Sequence, residues 1–445
     1  MSSSHATRLP GRVVVAYGIG GTGWVLVDRL VLTWLYVAYV TAPVGGEPRL
    51  LPLTFGALMF VGRLVDAVAD PLIARWSDSH QGRRGRRIPF LLASAAPYAV
   101  VFVALFHPPV AGVSTWNALY LGVLLAVYFA LFTAYVGPYL ALLADLGGTV
   151  GDRVNLATAK AVATLVGAGV ALIASGPVVE LLGMSTMAVG FGVLALVLLL
   201  VPTRIRETAL AAPVPASASL LASVRSTLAT RPFPRVLVGV NALWFGFNLV
   251  SLNVALYATS LLGMGEAGVS ILMGVLFGVC LASFPLVSRA AKRLGLKRVM
   301  VASLAGFAVV LPAIALLRSP PLSIPPLVAA IVVMGLAGLP LAGFFIVPDA
   351  IVAAVADVGQ RDTGERREGM FYGVQGLTLK LNLGISTLVS AGLLQFAGDP
   401  LGVELTGPVA GIALAIGAIV FLRYPEDEVE AARAELAADG NGPRA

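Results

Sequence analysis

With one cysteine, three histidines and only 12% charged residues in 445 positions, this chain has little from which to build disulfides, metal clusters or a solvated surface. Cys280 has no possible intrachain partner, so the fold must rest on packing alone. His5, His80 and His107 fall in the N-terminal tail, a loop and a helix end, and no His pair or nucleophile–base arrangement accompanies them. A membrane-embedded enzyme is therefore not expected, and neither a cofactor nor a metal cluster is implied. Soluble globular domains carry roughly twice this share of charge.

What the chain has instead is apolar length. Hydrophobic residues make up 58% of it and the mean hydropathy is +0.91. Runs near the roughly 20 residues needed to span a bilayer are read at 13–40, 50–76, 88–107, 114–145, 154–176, 184–202, 235–262, 266–289, 297–317, 323–356, 369–397 and 404–423. The expected class is an all-α integral membrane protein with 12 transmembrane helices. The first run is about 28 residues long with no small-residue cleavage site after it, so it is expected to stay as helix 1.

Lys and Arg outside these runs fall almost entirely in alternate loops, including Arg83, Arg84, Arg86, Arg87, Lys292, Arg293, Lys297, Arg298, Arg366 and Arg367. The positive-inside rule then places both termini in the cytoplasm, with the chain multi-pass in the cell (inner) membrane. The formal charge of +7 reports this topology and not nucleic-acid binding.

Residues 203–231, rich in Ala, Pro, Ser and Arg, interrupt the apolar pattern as a cytoplasmic linker. They divide a six-helix half at 1–202 from a second at 232–424, and 425–445 forms a polar tail expected to be dispensable for chemistry. The basic turn of 77–87 recurs as 288–298, the internal repeat of a major facilitator fold.

Charge inside the apolar runs is costly, at least about 2.5 kcal/mol per group, and marks candidate function. Helical spacing puts Arg63, Asp66 and Asp70 on one face of helix 2. Asp28 and Arg29 sit about 22 Å into helix 1, and Lys380 about 17 Å into helix 11. Asp28 and Arg63 could simply neutralise each other and hold helices 1 and 2 together. Lys160 in helix 5 either snorkels to the surface or faces a cavity. Pro138 in helix 4, beside Thr133 and Tyr139, can open backbone groups to a cavity. Asn241, Asn248, Asn253 and Tyr257 are polar positions of the second half, and Asn in such helices more often bonds a neighbouring helix than a substrate. The Tyr17-Gly-Ile-Gly-Gly-Thr-Gly23 run satisfies a dinucleotide-binding pattern. Inside a membrane span it reads instead as close helix packing.

Arg63-x-x-Asp66-x-x-x-Asp70-Pro71, the Asp78 to Pro89 turn, and the passage from Pro348-Asp349 through Arg366, Glu368, Tyr372, Gln375 and Lys380 resemble the glycoside-pentoside-hexuronide cation symporters of the major facilitator superfamily. The resemblance implies a coupling-cation site of Asp66, Asp70, Thr133 and Lys380, since two carboxylates in low dielectric do not both ionise comfortably without a cation. It implies gating at Asp78, Arg86, Arg87, Asp349, Arg366 and Glu368. Substrate-binding candidates are Asp28, Arg29, Arg63, Tyr139, Lys160 and Gln375.

Ala69 stands where sodium-using relatives carry Asn, which favours H⁺ over Na⁺ at Asp66 and Asp70. Val25 and Val136 stand where sugar-binding members carry Asp, and Lys160 replaces an Arg. The expected activity is cation-coupled symport of a small, sugar- or glycoside-like solute by alternating access. The alternative is transport of a lysolipid or other amphiphile on the same fold. The expected partners are that solute and the lipid bilayer, with the monomer as the functional unit.

Overall fold

A computed structural model describes residues 9–41, 47–80, 82, 84–146, 150–207, 225, 227–363 and 368–438. Helices carry nearly all of them, as the missing solvent inside a bilayer demands of every backbone N–H and C=O. The first six spans begin with α1 (Gly11–Tyr36, continued by a π-turn to Thr41), α2 (Pro52–Ser79), α3 (Ile88–Leu105) and α4 (Thr115–Leu146). Then come α5 (Val150–Gly169), joined through a π-turn to α6 (Ser175–Leu182), and α7 (Met184–Leu200). The other six comprise α8 (Phe233–Leu256), α9 (Gly268–Leu294), α10 (Leu296–Val310), α11 (Pro326–Thr363), α12 (Glu368–Ala397), the short α13 (Leu401–Glu404) and α14 (Thr406–Leu422).

Eleven spans among the described residues are long and apolar enough to cross a membrane. The twelfth expected span is α2, which has the length, 28 residues, but carries Arg63, Asp66, Asp70, Arg75 and Asp78.

The chain divides into two compact units, Met1–Pro215 with Met264–Ile271, and Ala216–Gly263 with Leu272–Ala445. The short segment joins the first unit through Ala267 N–H, which donates to Glu180 Oε2 at 2.7 Å, and Ser270 Oγ, which donates to the Ile173 carbonyl. Each unit repeats one packing scheme. In the first, α1 packs on α5 and α7, and α3 on α4 and α7; in the second, α8 packs on α12 and α14, and α10 on α11 and α14.

The glycine run of α1 is a contact surface. A Cβ on Gly20 would meet Pro202, one on Gly21 the Tyr139 hydroxyl and Ala163, and one on Gly23 the α7 backbone at Leu199. From the facing side, a Cβ on Gly167 would lie 2.7 Å from the Thr22 carbonyl. These approaches let α1 stand in the middle of its unit, with Asp28 5% exposed.

The tail is ordered through α15 (Glu426–Ala438), which packs on α11. Val429, Ala432 and Leu436 make its buried face, and Glu428 pairs with Arg361 at 3.8 Å. Glu426 Oε1 accepts from Lys297 N–H at 3.0 Å, at the N-terminal end of α10. Tyr424 stacks on Phe421; burial, then Glu426 and Glu430, push its hydroxyl above the usual phenol range.

Candidate functional site

In the first unit the intramembrane charges form an alternating line. Arg29 Nη2 lies 3.1 Å from Asp28 Oδ2, Arg63 Nη2 lies 3.3 Å from Asp28 Oδ1, and Arg63 Nη1 lies 3.5 Å from Asp66 Oδ2. Thr133 Oγ1 donates to Asp66 Oδ1 and closes the line on α4. The pairing of Asp28 with Arg63 ties α1 to α2, the alternative that the sequence left open for these two charges. Two cations and two anions sum to zero, the condition under which such groups are tolerable in low dielectric.

Packing sets this geometry. Arg63 lies over the Phe129 ring, its Cζ 4.4 Å from the centroid, a cation–π contact that adds to the ion pairs. Phe129 comes that close because residue 62 is glycine, where a Cβ would stand 2.6 Å from the ring. Pro71 and Pro138 have no N–H, so the carbonyls of Ala67 and Ala134 lose their helical donors, one beside the α2 carboxylates and the other beside Thr133.

The helix 2 carboxylates are not equivalent. Asp66 is fully buried, whereas Asp70, one turn on, is half-buried. Among the described residues, Arg29 Nη1, Arg63 Nε and the Trp24 indole Nε1 are buried donors without a hydrogen-bond partner. Trp24 meets Phe132 edge to face at 5.9 Å. Tyr98 and Tyr128 share a hydrogen bond of 3.2 Å behind that ring. This aromatic wall escaped the sequence reading; its one local signal is Trp24, a helical turn before Asp28.

Tyr139 has another place. Its ring stacks on Tyr17 at 4.5 Å, and its hydroxyl donates to the Tyr17 carbonyl at 2.9 Å, which makes it a packing residue between α1 and α4. Lys160 is half-buried and makes no ion pair among the described residues. In the second unit Gln375 is buried and Lys380 half-buried on α12. Three of the polar positions there bond neighbouring helices, Asn241 to Thr378, Asn253 to Ser390 and Tyr257 to Thr406, whereas the buried Asn248 Nδ2 has no hydrogen-bond partner among the described residues.

The expected gating residues cluster in part. Arg86 binds Asp145 through two nitrogens, with Nε at 3.1 Å, and Arg87 reaches Asp145 at 3.2 Å and Ser77 at 2.6 Å. Glu207, which the sequence reading passed over, accepts from the backbone N–H of Arg86, Arg87 and Ile88 at 2.6 to 2.8 Å. It caps α3 from the far end of its unit, where no local pattern announces it. Asp349 is exposed, and its carbonyl accepts from the Tyr372 hydroxyl at 3.0 Å. Arg366 lies outside the described residues, as do the side chains of Asp78 and Glu368.

Two repeated helical units, spans of bilayer length and a neutralised line of buried charge define a polytopic membrane transporter of the major facilitator type. The chain belongs to the MFS/sugar transport protein family, whose model matches residues 16–422. It is 35% identical over 103 residues to a putative glycoside/cation symporter YagG of Escherichia coli, a match covering 23% of this chain and 21% of that one. It is 24% identical over 179 residues to the inner membrane symporter YicJ of the same organism, covering 40% and 37%. An uncharacterized symporter, sll1374, of Synechocystis is 28% identical over 159 residues, covering 35% and 28%. Each match therefore spans well under half of the relative.

Among solved structures, a point mutant of the nucleoside transporter NupG is similar with a TM-score of 0.68 at 13% identity, covering 93% of this chain and all of that one. A bacterial homologue of the lysosomal transporter Spinster has a TM-score of 0.66 at 13% identity, covering 94% and 97%. At these identities the likeness is one of fold.

Proposed function

We propose that this secondary transporter is a cation-coupled symporter of a small, sugar- or glycoside-like solute, working by alternating access, with H⁺ favoured over Na⁺. The observation that carries the reading is the charge line ending at Asp66. Arg29, Asp28, Arg63 and Asp66 balance among themselves, and Asp70 adds one further carboxylate to the α2 stripe. A bound cation or proton at Asp70 neutralises that stripe, and coupling follows if the neutral form and the occupied solute site favour the same conformation. Asp66, Asp70, Thr133 and Lys380 are assigned to the cation. The orphaned donors of Arg29, Arg63 and Trp24 suit the acceptor oxygens of a polyol, and the aromatic wall suits its apolar faces. Ala69 supports the proton, because an Asn there would add an oxygen ligand for sodium. The alternate basic loops support cytoplasmic termini, and the boundaries at 202, 231 and 424 delimit the two functional halves.

In proteoliposomes, Asp70→Asn abolishes gradient-driven accumulation while leaving counterflow exchange much less affected; accumulation at the wild-type level would sink the assignment. The substrate is found by thermal shifts across sugars, organic acids and lysolipids at two pH values, with and without sodium. Stabilisation that appears only with sodium, at either pH, reverses the choice of ion. Stabilisation by lysolipids alone reverses the choice of substrate.

A further inference from the structure

In the second unit two cavities adjoin at the end that carries the basic turn. One, of about 530 Å³, is lined by Lys297, Arg298, Tyr424, Pro425, Glu426 and Asp427 among others. The other, of about 410 Å³, is an apolar groove between α9, α10 and α11, with Leu286, Leu294, Gly306, Leu336 and Pro340 along it. Arg298 and Ala302 line both, so the polar cavity opens at the head of the groove. In the first unit α2 and α4 meet closely, Phe129 against Gly62 and Leu58 against Gly122. In the second, α9 touches α11 closely at Gly338, where a Cβ would lie 2.7 Å from Val279, and the groove opens beside that contact. Small residues leave it unfilled, and Leu286 and Leu336 on its rim are 59% and 58% exposed, which in a membrane means facing lipid.

The charge at its head is unusual for this protein. Arg289, Lys292, Arg293, Lys297 and Arg298 fall within ten residues, and none of them takes part in an ion pair among the described residues. Of the nearby carboxylates, Glu428 faces Arg361, and Glu426, which accepts from the Lys297 backbone, and Asp427 stand on the lining against the five cations of the turn. A groove of acyl-chain character headed by unpaired cations at the membrane surface has the chemistry of an anionic lipid site.

We propose that this face binds one anionic glycerophospholipid, its phosphate at Lys297 and Arg298 and one acyl chain along α10 between α9 and α11. The site is separate from the solute and cation residues of the transport reading and stands whether or not that reading holds. It also gives the docked tail a use, since Tyr424 to Asp427 form one wall of the headgroup cavity.

The test is native mass spectrometry of the full-length protein released from detergent with equal phosphatidylglycerol and phosphatidylcholine. The wild type is expected to retain phosphatidylglycerol about thirtyfold better, the order expected of two interfacial cations. Lys297→Gln with Arg298→Gln, both at the surface, lowers retention to the phosphatidylcholine level. Gly306→Leu reduces retention of both lipids by filling the groove; a Cβ at Gly306 meets only Pro340 at 3.5 Å, an ordinary contact, so the helix tolerates the change. Equal retention of the two lipids by the wild type overturns the proposal, as does an unchanged preference in the double variant. Displacement of phosphatidylglycerol by soluble glycerol phosphate at the same concentration overturns the acyl-chain part.

Discussion

At Arg63 three contacts converge: Asp28 from α1, Asp66 from its own helix and the face of Phe129 from α4. Removing one member of a buried ion pair is far more damaging than removing both, because the partner is left charged and desolvated. Arg63→Gln leaves Arg29 to face Asp28 and Asp66, a net charge of minus one. A loss of about 3–5 kcal/mol is expected. Asp28→Asn combined with Arg63→Gln leaves Arg29 and Asp66 in balance, and recovers much of that loss in thermal unfolding. Additive losses in the double variant would show that the two side chains act independently. The same residues illustrate how far a sequence reaches. The Arg63, Asp66, Asp70 stripe follows from helical spacing, whereas the difference in burial between Asp66 and Asp70 arises only when α4 covers one end of the stripe.

At the scale of elements, α1 is a helix whose neighbours come close along its length, and its glycines carry the reason. Gly167→Ala in α5 forces a methyl against the Thr22 carbonyl and Val25, neither of which can retreat without moving α1. The expected cost is about 1–3 kcal/mol, the range for overpacking. Gly190→Ala in α7 meets nothing within 4 Å and is expected to be neutral or slightly stabilising, since alanine is the better helix former. Parallel melting curves of the two variants check the contrast; equal behaviour would mean that helix propensity, not contact, governs these positions. The glycine run was legible in the sequence as a close-packing surface. Its partners, Tyr139, Ala163 and the end of α7 at Leu199 and Pro202, were not, because they come from three separate segments.

For the whole molecule, α2 is the exception among spans of bilayer length. Its Arg63, Asp66 and Asp70 each oppose insertion by about 2.5–3.5 kcal/mol at a helix centre, against about 0.3–0.6 gained per Leu or Val. Pro52–Ser79 alone is therefore expected to insert poorly in a membrane-insertion reporter, and to insert well with all three charges changed to Leu. Efficient insertion of the wild-type segment would mean that its charges need no neighbours. In the intact chain α1 and α4 supply those neighbours through Asp28 and Thr133.

By itself the sequence determined the class, the spans, the repeat of two halves and the family, because each is written in composition, length or spacing along the chain. Tertiary structure decided which charges meet, that Glu207 caps α3, that Tyr139 packs instead of lining the charge line, and that the tail docks on α11. The physical reason is the same in each case. Periodicity says which residues share a helix face, but the rotation and depth of one helix against another are set by the sum of many small packing contacts, and no local pattern records that sum.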